Sequence, residues 1–301
     1  MLRGTLMYLS DQPLAKRVFS GPLAKPLVSR FVAGVELNEA LGNVQKLNSA
    51  GLTATLDYLG ESVHTAAEAG AAAAQYIALL HGIERIGAQC NASLKLTQMG
   101  LDVDRALCVR NVERILAQAA AFNNFVRIDM EGSGYTQATL DIFNELYGRY
   151  KNVGIVIQAY LYRSEADIRA LNKLGARVRL CKGAYNEPAS VAFAAKADTD
   201  KNYVKLMQLL LSEGNYPGIA THDEAMIAAT REYARAQGIA PDRFEFQMLY
   251  GIRRDLQEQL VREGYRLRVY VPYGEQWYPY MMRRMAERPA NLLFVLRGGL
   301  R

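Results

Sequence analysis

Four side chains near the C-terminus could do chemistry together. In YVPYGEQWYPYMMRRMAERPAN, residues 270–291, the spacing predicts a helix over 276–288, with Pro279 near its start where proline is tolerated. Tyr280, Arg283, Arg284 and Glu287 fall at i, i+3, i+4 and i+7 and so share one face. Two guanidiniums can hold a carboxylate through paired, charge-assisted hydrogen bonds. A glutamate one turn on suits a cationic amine, and a tyrosine suits an apolar ring. The face therefore fits a small zwitterion; an exposed helix with an ordinary Arg283–Glu287 pair would read the same way.

Further polar residues recur at the ends of apolar runs: Lys95, Asp129, Gln158, Arg179 with Lys182, Thr221 with His222, and Tyr270, with Leu249 the apolar exception. In SLKLT, strand alternation sets Lys95 opposite Leu94 and Leu96. If the leucines pack outward, Lys95 points inward and needs an anionic partner or ligand; Asp129, on the next run, is the candidate. Arg179 lies mid-strand among apolar residues and is expected to face inward. Lys182-Gly183-Ala184 leaves that strand with positive charge and a glycine, which suits a phosphate or another electron-rich ligand. A plain strand-to-loop turn is the bland alternative. Lys95 or Lys182 would also suit a Schiff-base lyase.

These residues need a frame that brings strand ends to one face. Short apolar strands are predicted at 94–97, 125–130, 154–160, 176–181, 218–221, 244–249, 267–271 and 292–296, alternating with helices at 104–120, 137–147, 165–173, 224–236 and 255–263. Eight such units imply a parallel sheet with right-handed crossovers, closed as a (β/α)8 barrel of the α/β class. An open doubly wound sheet is the alternative. Before residue 91 the pattern is read as helical, notably over 37–50 and 63–86, with no strand. The predicted domains are thus a helical segment, 1–90, packed on a catalytic barrel, 91–301. Gly132 and Gly134 are followed by Gln137, so the dinucleotide fingerprint fails, and no phosphate-binding GxxxxGK[ST] loop occurs.

Composition narrows the classes. The 301 residues are 50% hydrophobic and 22% charged, as in a globular protein with a large core. Net charge is +6, but Lys and Arg are scattered rather than massed, which argues against a nucleic-acid arm and leaves affinity for an anionic membrane surface open. Cys90, Cys108 and Cys181 have no CxxC spacing and an odd count; with three distant histidines they build no evident metal site. No apolar run spans a bilayer and no signal-peptide pattern opens the chain, so a reducing cytoplasm is expected.

The motifs KLTQ at Lys95, IDMEG at Asp129, QAYL at Gln158, RLCKGAY at Arg179, ATHD at Thr221, FEFQMLYG at Leu249 and the long C-terminal segment resemble the proline dehydrogenase family, in its monofunctional bacterial form. LDYLGE near Leu56 is also family-like. The resemblance implies a distorted barrel that binds FAD noncovalently and oxidises L-proline to Δ1-pyrroline-5-carboxylate by hydride transfer to the flavin. It implies that Lys95, Arg283 and Arg284 hold the proline carboxylate, that Glu287 lies near the amine, and that Tyr185, Leu249, Tyr270 and Tyr280 enclose the ring. Arg179 would stand beside the flavin and Asp129 would order Lys95 and Tyr270, making Lys95, Asp129 and Arg179 the catalytic set. Met130, Gln158, Arg179, Lys182, Gly183, Ala184, Thr221 and His222 would contact FAD. Asn186 and Asp223 stand where bifunctional relatives carry tryptophan and asparagine. The resemblance further implies a quinone electron acceptor, peripheral contact at the inner membrane face, and product hand-off to a separate pyrroline-5-carboxylate dehydrogenase. Three rivals remain: the lysine-dependent aldolase or lyase barrel, a barrel-type folate reductase reduced by NAD(P)H, and a non-catalytic basic binding module.

Overall fold

The computed structural model describes residues 25–287, with side chains over 28–282. Eight parallel strands close into a barrel in chain order: β1 (Thr53–Tyr58), β2 (Cys90–Leu94), β3 (Val126–Ile128), β4 (Val153–Gln158), β5 (Arg177–Cys181), β6 (Gly218–Ala220), β7 (Glu245–Leu249) and β8 (Leu267–Tyr273). Two helices, α1 (Lys25–Phe31) and α2 (Leu37–Ser49), precede β1. The crossovers are α3 (Ala66–Arg85), α4 (Arg105–Ala121), α5 (Ser133–Tyr147), α6 (Ser164–Lys173), α7 (Lys196–Glu213), α8 (Glu224–Ala236) and α9 (Arg254–Arg262); α10 (Trp277–Glu287) follows β8.

The barrel begins at Thr53, not at residue 91. Strand β1 closes the ring by pairing with β2 on one side and β8 on the other. Its inward residues Thr55 and Asp57 are polar, so TATLDY lacks the apolar run that marks the other strands. The segment becomes a strand only because both neighbours supply hydrogen-bonding partners. Strand β2 also ends earlier than expected, leaving Lys95 just past it. The strand predicted at 292–296 lies outside the described residues, and the ring is complete without it. Helix α2 lies across β1 and β8, covering the closing seam, and Gly82 of α3 lets α3 approach it: a Cβ there would stand 2.7 Å from Leu41.

Alternation along the strands sorts the two faces. Leu56, Leu94, Ile128, Ile157, Leu180, Phe246 and Val269 join one buried core with apolar helix residues such as Tyr76, Ile115, Phe143 and Leu206. The interior is different. In place of layered aliphatic side chains, it holds Thr55, Ser93, Arg127, Arg179, Glu245 and Gln247, all buried. Glycines make room for them: a Cβ on Gly154 would stand 2.9 Å from Arg127 Nη1, and one on Gly218 would stand 2.5 Å from Gln247 Nε2.

Candidate active site at the barrel mouth

Two buried ion pairs occupy the C-terminal end of the barrel. Arg179 Nη1 donates to Asp129 Oδ1 at 2.8 Å, and its Nε donates to Gln247 Oε1 at 2.5 Å. Asp129 also accepts from Ser93 Oγ at 2.7 Å and, on Oδ2, from the Tyr270 hydroxyl at 2.7 Å. The Arg179 guanidinium carbon lies 5.2 Å from the centroid of the Tyr270 ring, a cation–π contact. Burial, reinforced by Asp129, holds the Tyr270 phenol well above its usual range, so it stays a neutral donor.

The second pair is Lys95 with Asp57, at 3.3 Å. The expected partner, Asp129, is taken by Arg179, Ser93 and Tyr270, and Lys95 turns instead to a strand that sequence patterning missed. Burial raises the Asp57 carboxyl, with Lys95 and Tyr270 opposing that rise. For Lys95, burial favours loss of the proton, but the charges of Asp57 and Asp129 outweigh it and hold the ammonium well above the ordinary lysine value of 10.5. A Schiff-base lysine needs the opposite perturbation. The ion pair with Asp57 favours the ammonium form of Lys95 and so argues against the lyase reading for it.

Lys182 is engaged on both sides. Its Nζ donates to Asp200 Oδ1 at 2.5 Å and to Asp223 Oδ2 at 2.7 Å, and Lys196 also bonds Asp200. It ties the loop after β5 to the starts of α7 and α8. Next to it, Gly183 has φ 114°, and a Cβ there would lie 2.4 Å from the Tyr160 ring. Both facts require glycine.

Of the other predicted residues, Gln158 is buried at the end of β4, where its Nε2 donates to the Glu131 carbonyl at 2.8 Å. Met130 and Thr221 are buried, and Thr221 Oγ1 accepts from the Asp223 amide at 3.0 Å. His222 Nε2 accepts from the Leu249 amide at 2.8 Å, which leaves Nδ1 as the protonated nitrogen of the neutral ring. Tyr185 and Ala184 are exposed on the loop after β5. Tyr280 is buried with Phe31, Val32, Leu59, Trp277 and Met281, which join α1 to α10. Arg283, Arg284 and Glu287 belong to α10, but their side chains lie outside the described residues.

Asp57, Ser93 and Gln247 were not anticipated. Asp57 had a signal, the alternation Thr53, Thr55, Asp57, and Gln247 another, the polar position in FEFQML two residues before Leu249. Glu131 was missed as well: its buried carboxylate accepts from the Thr97 hydroxyl at 2.6 Å and the Thr97 amide at 3.1 Å, fixing the loop after β2. The three cysteines are pushed up to about 12 by burial, and none is a ready thiolate.

A closed (β/α)8 barrel with charged, mutually oriented side chains at its C-terminal mouth defines an enzyme of the barrel class. Comparison with known proteins narrows the class. The family model described as "Proline dehydrogenase" matches residues 40–297. The chain is 42% identical to "Proline dehydrogenase 1" of Bacillus subtilis over 301 residues, 100% of both chains. It is 44% identical to "Proline dehydrogenase" of Deinococcus radiodurans over 280 residues, 91% of this chain and 90% of that one. The crystal structure of proline utilization A from Bdellovibrio bacteriovorus, inactivated by N-propargylglycine, superposes with a TM-score of 0.84 at 28% identity, covering 95% of this chain and 35% of that longer one. The chain belongs to the proline dehydrogenase family. It is a flavin-linked oxidoreductase that oxidises proline, the first step of proline catabolism.

Proposed function

We propose that the barrel mouth binds FAD and L-proline together, and that the product is Δ1-pyrroline-5-carboxylate. The carrying observation is Arg179: Asp129, Gln247 and Ser93 engage its Nε and Nη1, while Nη2 takes no part in these bonds. A rigidly held guanidinium whose Nη2 makes no hydrogen bond among the described residues suits an electron-rich heterocycle. The donor chemistry fits the flavin elsewhere too: the buried Gln158 amide at the end of β4, and a loop after β5 whose main chain is pinned by Lys182.

Bound there, the flavin supplies the hydride acceptor. Lys95, held protonated by Asp57, works with Arg283 and Arg284 to hold the proline carboxylate. Glu287 neutralises the amine, while Leu249, Tyr270, Tyr280 and Tyr185 shape the ring's enclosure. Tyr270 is fixed through its hydroxyl by Asp129, so ring packing and Arg179 orientation share one anchor. With a flavin held there, the Arg179 cation would offset the negative charge gained on reduction. Met130, Gly183, Ala184, Thr221 and His222 line the cofactor's path across the strand ends, with Lys182 positioning the loop.

Electrons would then pass to a quinone through peripheral contact with the inner membrane face, and the product would pass to a pyrroline-5-carboxylate dehydrogenase. The net charge of +6 supports attraction to an anionic surface. Among the described residues no helix is long and apolar enough to cross a membrane.

Arg284→Met tests the substrate side: the variant is expected to retain flavin while its proline KM rises by about 100-fold, the loss of a charge-assisted pair of hydrogen bonds. An unchanged KM would remove α10 from the carboxylate site.

A further inference from the structure

Behind Arg179 lies a polar chain that runs down the barrel axis. Gln247 Nε2 donates to Glu245 Oε1 at 2.6 Å, and Arg268 Nε donates to the same carboxylate oxygen at 2.7 Å. Arg268 Nη1 is itself anchored on the Ala54 carbonyl at 2.6 Å. Gln247 and Glu245 are each 3% exposed. The chemistry of the neighbours permits one amide orientation. Arginine offers only donors and an ionised carboxylate only acceptors, so Oε1 must face Arg179 and Nε2 must face Glu245. A Cβ at position 218 would stand 2.5 Å from Gln247 Nε2, so the glycine there leaves room for the amide in this pose. Glu245 is kept ionised: burial opposes that, but the adjacent Arg268 charge outweighs it.

We propose that Gln247 is a positioning residue for flavin reduction: oriented by the Glu245–Arg268 pair, its carbonyl holds the Arg179 guanidinium in the pose that tunes the bound flavin. This rests on the reading of Arg179 as the cation beside the flavin. Asp129 alone could hold Nη1 but would leave the guanidinium free to swing about that contact. Gln247 on Nε supplies the second point that fixes the plane. Gln247 touches neither substrate nor flavin in this account, so its effect appears in the flavin's potential and in kcat before it appears in proline binding.

The test is the midpoint potential of the bound flavin in the full-length holoenzyme, with kcat and proline KM, for the parent, Gln247→Met, Gln247→Glu and Arg179→Met. Gln247→Met keeps length and removes the acceptor; kcat is expected to fall by about 10-fold with KM nearly constant, the usual scale for a supporting partner. Gln247→Glu keeps an acceptor for Arg179 but places a second carboxylate beside Glu245. Both variants should shift the potential downward, in the same direction as Arg179→Met and by less. A flavin-loaded Gln247 variant with the parent potential, alongside a shifted Arg179→Met, overturns the proposal while sparing the reading of Arg179. A parent-like potential in Arg179→Met sinks that reading and the positioning role with it. If Gln247→Met fails to fold, Gln247→Glu decides by the same criterion.

Discussion

Lys95 and Lys182 each stand one residue beyond a barrel strand, β2 and β5, and in sequence both look like candidate ligand cations. The structure gives them different work. Lys95 meets a single buried carboxylate, Asp57, and its side chain keeps 13% exposure, enough to be reached from the mouth. Lys182 sits between Asp200 and Asp223, with Lys196 closing the cluster, and each of the three inner side chains is 22–29% exposed. Among the described residues one cation meets a single carboxylate in a dry place; the other meets two and is wetter. On the proposed function, the cation that would take a ligand has one partner away from water, and the cation that ties a loop has two nearer to it.

Three variants would break or sharpen this contrast. The largest effect is expected at Asp129, which anchors Arg179, Ser93 and Tyr270 together. Asp129→Ala should lower stability by about 3 kcal/mol in chemical denaturation, the scale for breaking a buried pair. Turnover should fall by about 100-fold or more, because two groups lose their orientation at once. A modest loss of both would mean that Arg179 is held mainly from the Gln247 side.

Asp57→Asn should act chiefly on Lys95, its ion-pair partner, while Asp57 also accepts from the Tyr76 hydroxyl at 3.3 Å. Proline KM is expected to rise by about 10-fold with flavin retained. Stability carries a second signature. Because Lys95 is raised above its unfolded value of 10.5, its contribution is fully present below pH 10.5 and is lost as pH climbs beyond it. Removing Asp57 brings the folded value back toward 10.5, so the alkaline loss beyond about pH 10.5 should shrink in the variant, visible in melting curves taken from about pH 10 upward. Identical alkaline limbs would make Asp129, not Asp57, the decisive charge.

The smallest effect belongs to Lys182→Met, about 1 kcal/mol. Hydrogen bonding from Lys182 lowers Asp223, and with Lys196 it lowers Asp200 against the pull of burial. That contribution is present above the unfolded carboxyl value of 3.8 and is lost as pH falls through the depressed values, so the variant should flatten the acid limb. Flavin retention should weaken several-fold while proline KM at saturating flavin holds. A raised proline KM would place Lys182 in the substrate site and erase the contrast with Lys95.

The same contrast explains what could be read before the fold was known. Lys95 and Arg179 were legible because a charge alternating with Leu, Val or Ile on a strand must face the barrel interior. The class of fold was legible from the alternation of strands and helices. Asp57 was not, because a strand with polar inward residues carries no apolar run, and β1 exists through its pairing with β2 and β8. The saturation of Lys182 depends on residues 18 and 41 positions away, beyond any local pattern. Gln247 looked like one more polar residue in an alternating strand; its meaning comes from Gly218 on the adjacent strand and Arg179 across the barrel. Pairings between strands are decided by closure of the ring, and strand periodicity does not contain them.

The most direct test of the mouth as a flavin and proline site is the visible spectrum of the purified protein under anaerobic conditions, before and after L-proline. A yellow protein that bleaches on adding proline, and does not bleach with NAD(P)H, is the predicted result. A protein that stays colourless after added FAD, or a yellow one that bleaches only with NAD(P)H, would contradict the account.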